Sequence, residues 1–210
     1  MSGSRIVFFD TETGGLLPSH PTIQLAAIAV AVDADWHELE TFERKIAFVV
    51  KDSDPEALKI NHYDPAVWDA EAWSEQTVVS DFAAFLKRHS TVELVSQRTG
   101  RPYKVARLGG HNVVGFDLDR VSAMFKRHGA FFPVDFRSVL DTRYGAVWLF
   151  EGGAAAEVQP QPKNFKLTGL AEHFGIPIDG AHDALFDVRL SIALARRIVE
   201  LWQRPAREVA

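Results

Sequence analysis

Three short segments carry side chains able to do acid–base or cation chemistry. The first is Asp10-Thr11-Glu12-Thr13-Gly14-Gly15. It ends an apolar run, Arg5-Ile6-Val7-Phe8-Phe9, that reads as a buried strand. Side chains alternate along a strand, so Asp10 and Glu12 point to one side. Two carboxylates so placed repel unless a cation lies between them, and hard divalent ions favour such oxygen ligands. Gly14-Gly15 strips side chains from the turn that follows, leaving room for a ligand backbone. The second segment, His111-Asn112-Val113-Val114-Gly115-Phe116-Asp117, joins a strand end to a helix start and puts Asp117 in the first helical turn. The third, His182-Asp183-Ala184-Leu185-Phe186-Asp187, opens the last helix, with Asp183 and Asp187 one turn apart on one face. Each has an ordinary structural use. The first can be a solvated acidic loop, Asp117 a carboxylate complementing the helix dipole, Asp183 an N-cap and His182 a capping or core-edge histidine. Asp187 is harder to dismiss, because it flanks the core stripe of its helix and a half-buried carboxylate needs a partner.

The elements that must position these groups are legible as periodicities. Ile23–Val32 and Glu38–Val50 read as two further strands, joined to the first by short polar links as a meander. Ser74 caps a helix with the stripe Val78, Phe82, Phe85, Leu86. Leu108–His111 ends another strand, and Gly115–His128 forms a helix closed by Gly129. Ser138–Asp141 is a short strand, Thr142–Phe150 and Leu167–Phe174 short helices, and Asp183–Arg204 a long one with Leu185, Val188, Ile192, Ala195, Val199 and Trp202 inward. Strands first, then strands alternating with helices, predict an α/β domain with a mixed sheet covered by helices. Such strand and helix ends gather at one edge of a sheet.

The chain's 210 residues predict a single domain spanning 1–210. With 47% apolar and 24% charged residues, it is neither disordered nor collagen-like. No apolar run approaches the roughly 20 residues of a membrane span, and the N-terminus lacks the pattern of a signal peptide. No cysteine is present, which excludes disulfides, thiolate metal sites and cysteine nucleophiles and fits a cytoplasmic location. The net charge of -5 argues against binding nucleic acid or a membrane surface through bulk positive charge. Locally the balance differs: residues 96–107 hold Arg98, Arg101, Lys104 and Arg107 and no acid, around the turn-like Thr99-Gly100-Arg101-Pro102. They read as a basic hairpin insertion able to contact phosphate, or as an ordinary solvated loop. Residues 151–163, low in complexity and without an apolar face, read as a long mobile loop.

Taken together, Asp10 and Glu12, then Asp117, then His182 and Asp187 resemble the motifs of the DEDDh branch of the DnaQ-like 3′–5′ exonucleases, over roughly Arg5 to Trp202. The second motif carries one extra residue, Gly115, relative to the commonest family spacing. The resemblance implies a ribonuclease H-like fold and hydrolysis of phosphodiester bonds from a 3′ end of DNA, with release of nucleoside 5′-monophosphates. It implies two divalent ions, Mg²⁺ with Mn²⁺ as substitute. Asp10 would bridge the ions, Glu12 and Asp187 complete one, Asp117 serve the other, and His182 take the proton from the attacking water. It also places Thr13, Gly14, Gly15, Leu16 and Asn112 against substrate, with Leu16 as an apolar wedge on the last base. The same residues serve an RNA-trimming enzyme equally well, and a catalytically silent nucleic-acid-binding module on the same fold is the reading from another class. A polymerase partner has no support in the sequence.

Overall fold

The computed structural model describes residues 4–33, 35–152, 160–180 and 182–203. Three antiparallel strands come first: β1 (Arg5–Thr13), β2 (Thr22–Ala31) and β3 (Glu38–Lys45). Two short parallel strands, β6 (Leu108–Gly110) and β7 (Leu140–Asp141), extend the sheet beyond β1, giving the order β3-β2-β1-β6-β7. Between these two groups lie α1 (Pro55–Ile60), α2 (Pro65–Glu71), α3 (Glu75–Arg88) and a separate ribbon of β4 (Val92–Val95) with β5 (Pro102–Val105). After β6 come α4 (Asp117–Arg127), then α5 (Thr142–Glu151), α6 (Leu167–His173) and α7 (Ala184–Trp202). This is the mixed, helix-flanked sheet that the periodicities predict.

The alternation within β1 divides the molecule into layers. Val7 and Phe9 face one way and pack with Val78, Phe82 and Phe85 of α3 and Val121, Met124 and Phe125 of α4. Ile6 and Phe8 face the other way, against Ala184, Val188, Ile192 and Ala195 of α7. A smaller cluster of Leu149, Phe150, Leu170, Leu194 and Ile198 fastens α5 and α6 to α7. Asp10 and Glu12 continue the row of Ile6 and Phe8, and so emerge beneath the start of α7. Thr11 continues the opposite row, beneath α4.

Two expectations are corrected. The third strand ends at Lys45 rather than Val50, because its pairing with β2 runs out at Gln24. Val49 and Val50 then sit exposed at a single 3-10 turn, Val50–Asp52, despite their β propensity. Two short helices, α1 and α2, occupy a stretch for which the periodicity gives no helix. Each begins at an Asp-Pro pair whose aspartate, Asp54 or Asp64, accepts a hydrogen bond from the backbone N–H two residues on. Most of the 151–163 loop lies outside the described residues; within its end, Gln161 Nε2 donates to the Phe150 carbonyl. Among the described residues no helix is long and apolar enough to cross a membrane.

Phe82 is fully buried and packs against Phe42 with the rings tilted and their centroids 5.2 Å apart. Phe82→Ala is expected to lower stability by about 3–5 kcal/mol, read as a fall in the urea midpoint with an unchanged slope.

Candidate functional site

Asp10, Glu12 and Asp187 come together at the C-terminal end of β1, each offering an oxygen within 4.8 Å of the others. The first two reach this point because they extend the α7-facing row of β1. Asp187 reaches it because α7 starts there: Asp183 caps the helix by accepting from the Phe186 N–H, and Asp187 lies in the first turn. Asp187 Oδ2 accepts from the His182 N–H at 3.3 Å. Its Oδ1 is buried with no partner. Asp117 arrives from the other layer, in the first turn of α4, where Oδ1 accepts from both the N–H and the hydroxyl of Thr11.

The electrostatics of this cluster are unfavourable for negative charge. Burial, then Asp117, Glu12 and Asp187, push the Asp10 carboxyl well above the usual carboxylate range. Burial and the neighbouring aspartates Asp187, Asp117 and Asp183 push Glu12 up to about 8. Burial lifts Asp117 to about 7 against the pull of the Thr11 hydrogen bonds, and Asp187 to about 6 against the His182 N–H. A divalent cation is the partner that fits: oxygen donors only, several carboxylates together and one buried Asp187 oxygen without a partner.

The structure does not bring every sequence-predicted residue here. His182 stands beside the cluster, exposed and at a left-handed φ of 71°, and when protonated favours the ionised form of Asp187. Thr13 turns its hydroxyl onto the Gly15 carbonyl. Gly14 lies where a Cβ would collide with Ser53 Oγ, and Gly15, at φ 143°, where a Cβ would collide with the His20 ring. Leu16 projects into solvent, 83% exposed. The Asn112 side-chain oxygen is engaged by Arg143 Nη1 at 2.7 Å. Its neighbour His111 is structural: Nε2 donates to the Phe165 carbonyl, Nδ1 pairs with the Thr142 hydroxyl, and burial pushes the ring down to about 4. Of the basic residues, Arg98 and Arg101 lie in the turn between β4 and β5 and Lys104 on β5, a ribbon separate from the five-stranded sheet, and Arg107 immediately precedes β6. The β4–β5 ribbon feeds the N-terminal end of β6, and the Arg107 carbonyl accepts from Val7 N–H, three residues and about 10 Å of strand before Asp10.

Other residues were not signalled by motif spacing. Asp141 caps α5 and also accepts from the N–H groups of Asn112 and Val114, fixing the turn before Asp117. Asn61 Nδ2 donates to the Thr13 carbonyl. Arg120, buried on α4, donates to three carbonyls of the loop after β1. The signal available for Arg120 is its position, one turn after Asp117 and one before the buried Met124 on a single helix face.

Fold and site define an α/β protein with a carboxylate cation site at one sheet edge. The exonuclease family model, RNase_T, matches residues 7–195, and the chain belongs to that family. No curated protein sequence matches it. Among solved structures, the zinc-bound form of E. coli exonuclease I with single-stranded DNA aligns with a TM-score of 0.71 and 22% identity, over 96% of this chain and 41% of that one. E. coli exonuclease I in complex with a dT13 oligonucleotide aligns with a TM-score of 0.69 and 21% identity, over 93% and 41%. An ExoI/SSB-Ct complex gives 0.69 and 20%, over 96% and 42%. The chain thus spans about two-fifths of the length of these relatives, and the likeness is one of fold.

Protons and a divalent cation compete for these oxygens, so the gain in thermal midpoint on adding Mn²⁺ to chelator-stripped protein should grow from pH 6 to pH 8, as Asp187, Asp117 and Glu12 give up protons at about 6, 7 and 8. Without the cation the same carboxylates favour the folded state at low pH, because their folded pKa values exceed the unfolded ones, and this contribution is lost as pH rises through 6–8. The buried neutral His111 works oppositely below its unfolded value. The difference between loaded and stripped protein removes it. A gain that shrank with rising pH would contradict the site.

Proposed function

We propose that this chain is a divalent-metal-dependent 3′–5′ exonuclease that removes nucleoside 5′-monophosphates from single-stranded DNA ends. The observation that carries the reading is the convergence of Asp10, Glu12 and Asp187, with an oxygen of each within 4.8 Å of the others and one Asp187 oxygen buried without a partner, in a member of an exonuclease family. The fold likeness to exonuclease I structures that hold dT13 and other single-stranded DNA supports the substrate class.

Asp10, Glu12 and Asp187 would hold one ion and Asp117, sharing Asp10, a second, with Mg²⁺ as the natural choice and Mn²⁺ as substitute. Bound there, the ions supply positive charge for the phosphate and make hydroxide accessible from water at neutral pH. The protein's own groups do the rest. Thr11 holds Asp117 in place through two hydrogen bonds to one oxygen. The His182 backbone N–H steadies Asp187. The His182 ring, on the exposed approach to the cluster, takes the proton from the attacking water, a task suited to imidazole because its charge changes near neutrality. The loop from Thr13 to His20 receives the terminal nucleotide.

The test uses 5′-labelled and 3′-labelled single-stranded DNA and RNA, with Mg²⁺, Mn²⁺ or chelator. The expected result is a descending ladder from the 5′ label and labelled mononucleotide from the 3′ label, with DNA preferred and no product in chelator. Internal cleavage, or a ladder from the opposite end, would overturn the assignment. Asp10→Ala and Asp187→Ala should abolish turnover. His182→Ala should lower kcat by about 10²–10⁴-fold while leaving KM nearly unchanged; undiminished turnover would remove histidine from the proton transfer.

A further inference from the structure

Phe131 and Phe132 follow α4 as neighbours that part company. Phe132, 8% exposed, stacks on Phe125 inside the molecule with ring centroids 4.4 Å apart, whereas Phe131 points outward, 67% exposed. There it meets Tyr103 of β5 edge to face, with centroids 6.3 Å apart. Register sets this meeting. Ala106 and Val134 form a parallel bridge, fastened by the Ala106 N–H on the Pro133 carbonyl and the Asp135 N–H on the Ala106 carbonyl. Three residues back along each segment stand Tyr103 and Phe131. The segment after α4 thus lies alongside the β4–β5 ribbon, and the two together present an aromatic pair to solvent.

The same ribbon carries positive charge. Arg101 continues the row of Tyr103, and Arg98 lies in the turn before it. Both are exposed, and neither forms an ion pair among the described residues. Lys104 belongs to the other row, opposite Glu93. An aromatic pair left in water stabilises the fold far less than a buried one. Exposed rings beside arginines without carboxylate partners match a chain of bases and phosphates: the rings stack on bases of any sequence, and the guanidinium groups neutralise phosphate. On a protein of net charge -5, such a local surplus of positive charge has a polyanion as its complement.

We propose that Tyr103, Phe131, Arg98 and Arg101 form a second nucleic-acid site, which binds single-stranded DNA upstream of the 3′ end held at the carboxylate cluster. The link to catalysis rests on the exonuclease reading above. The two places are within reach of one strand. Asp10 is three residues beyond Val7, the Val7 N–H donates to the Arg107 carbonyl, and Tyr103 is four residues before Arg107. Extended chain of that length puts Tyr103 within about 30 Å of Asp10. A dinucleotide occupies the cluster and no more, whereas a strand of about 20 nucleotides covers both places.

Binding is read first, by fluorescence anisotropy of labelled oligothymidylates in chelator, where cleavage stops and the carboxylates repel phosphate. Wild type should bind a strand of about 20 nucleotides and not a dinucleotide. Phe131→Ala should weaken that binding about tenfold. Arg98→Gln combined with Arg101→Gln should flatten the slope of log affinity against log salt by about 1.4. Turnover is read next, in Mn²⁺: wild-type kcat/KM should favour the long strand over the dinucleotide, and both variants should shrink that ratio. Equal affinity and slope in wild type and variants, or losses shared alike by long and short substrates, would overturn the proposal. So would an aspartate-rich peptide that binds wild type and not Phe131→Ala while DNA binding is the same in both, since the surface would then dock a protein. Absence of all wild-type cleavage with length-dependent binding intact would instead overturn the exonuclease reading and leave the second site standing.

Discussion

Mutual repulsion among four carboxylates in a desolvated pocket is the constraint around which the molecule is built. Two unit charges 4 Å apart at an effective dielectric of 20 repel by about 4 kcal/mol, and Asp10, Glu12, Asp117 and Asp187 include several such neighbours. Nothing in the cluster itself favours its assembly. The apolar layers on either side of β1 must hold it, and the positive ends of two helices moderate it: Asp117 and Asp187 both occupy a first helical turn. A bound cation would complete what the helix ends begin.

This explains why the cluster draws on both faces of one strand. The alternation of β1 sends Asp10 and Glu12 under α7 and Thr11 under α4. Thr11 donates twice to Asp117, so the residue between the two acidic side chains is what ties the opposite layer to the site. A one-residue slip of β1 would reverse this assignment and bury the carboxylates against phenylalanines. The core pairing of Phe8 with α7 and Phe9 with α3 and α4 therefore fixes register and chemistry together.

Much of this was legible in the amino-acid sequence, for a definite reason. β1, β2, α3, α4 and α7 are long and periodic, so their faces could be assigned and the ends of β1 and α7 placed at one edge. Short elements carry little period: α6 was read from the sequence, but α1 and α2 announced themselves only by Asp54-Pro55 and Asp64-Pro65. The end of β3 depended on where β2 stopped pairing, which is a tertiary fact. Charge composition alone said nothing about place. The arginines between 96 and 107 suggested a phosphate contact without saying where on the molecule; the ribbon that carries most of them precedes β6. Arg120, hidden among hydrophobic neighbours, was invisible to motif spacing.

The positions of these charges bear on how a protein of net charge -5 could hold a polyanion. Bulk attraction is unavailable, and the pocket itself repels phosphate until a cation enters. Affinity must then come from bound cations, from local basic groups and from contacts indifferent to charge. In the loop beyond Glu12, the Thr13, Gly14, Gly15, Leu16 and His20 carbonyls are held by Asn61, the Asp54 N–H and Arg120, and its tip offers two leucines to solvent. Apolar contact with a base and coordination of a phosphate through bound cations are separable recognitions. An end that satisfies both sits in register with the carboxylates, whereas a phosphate in mid-strand satisfies only the second.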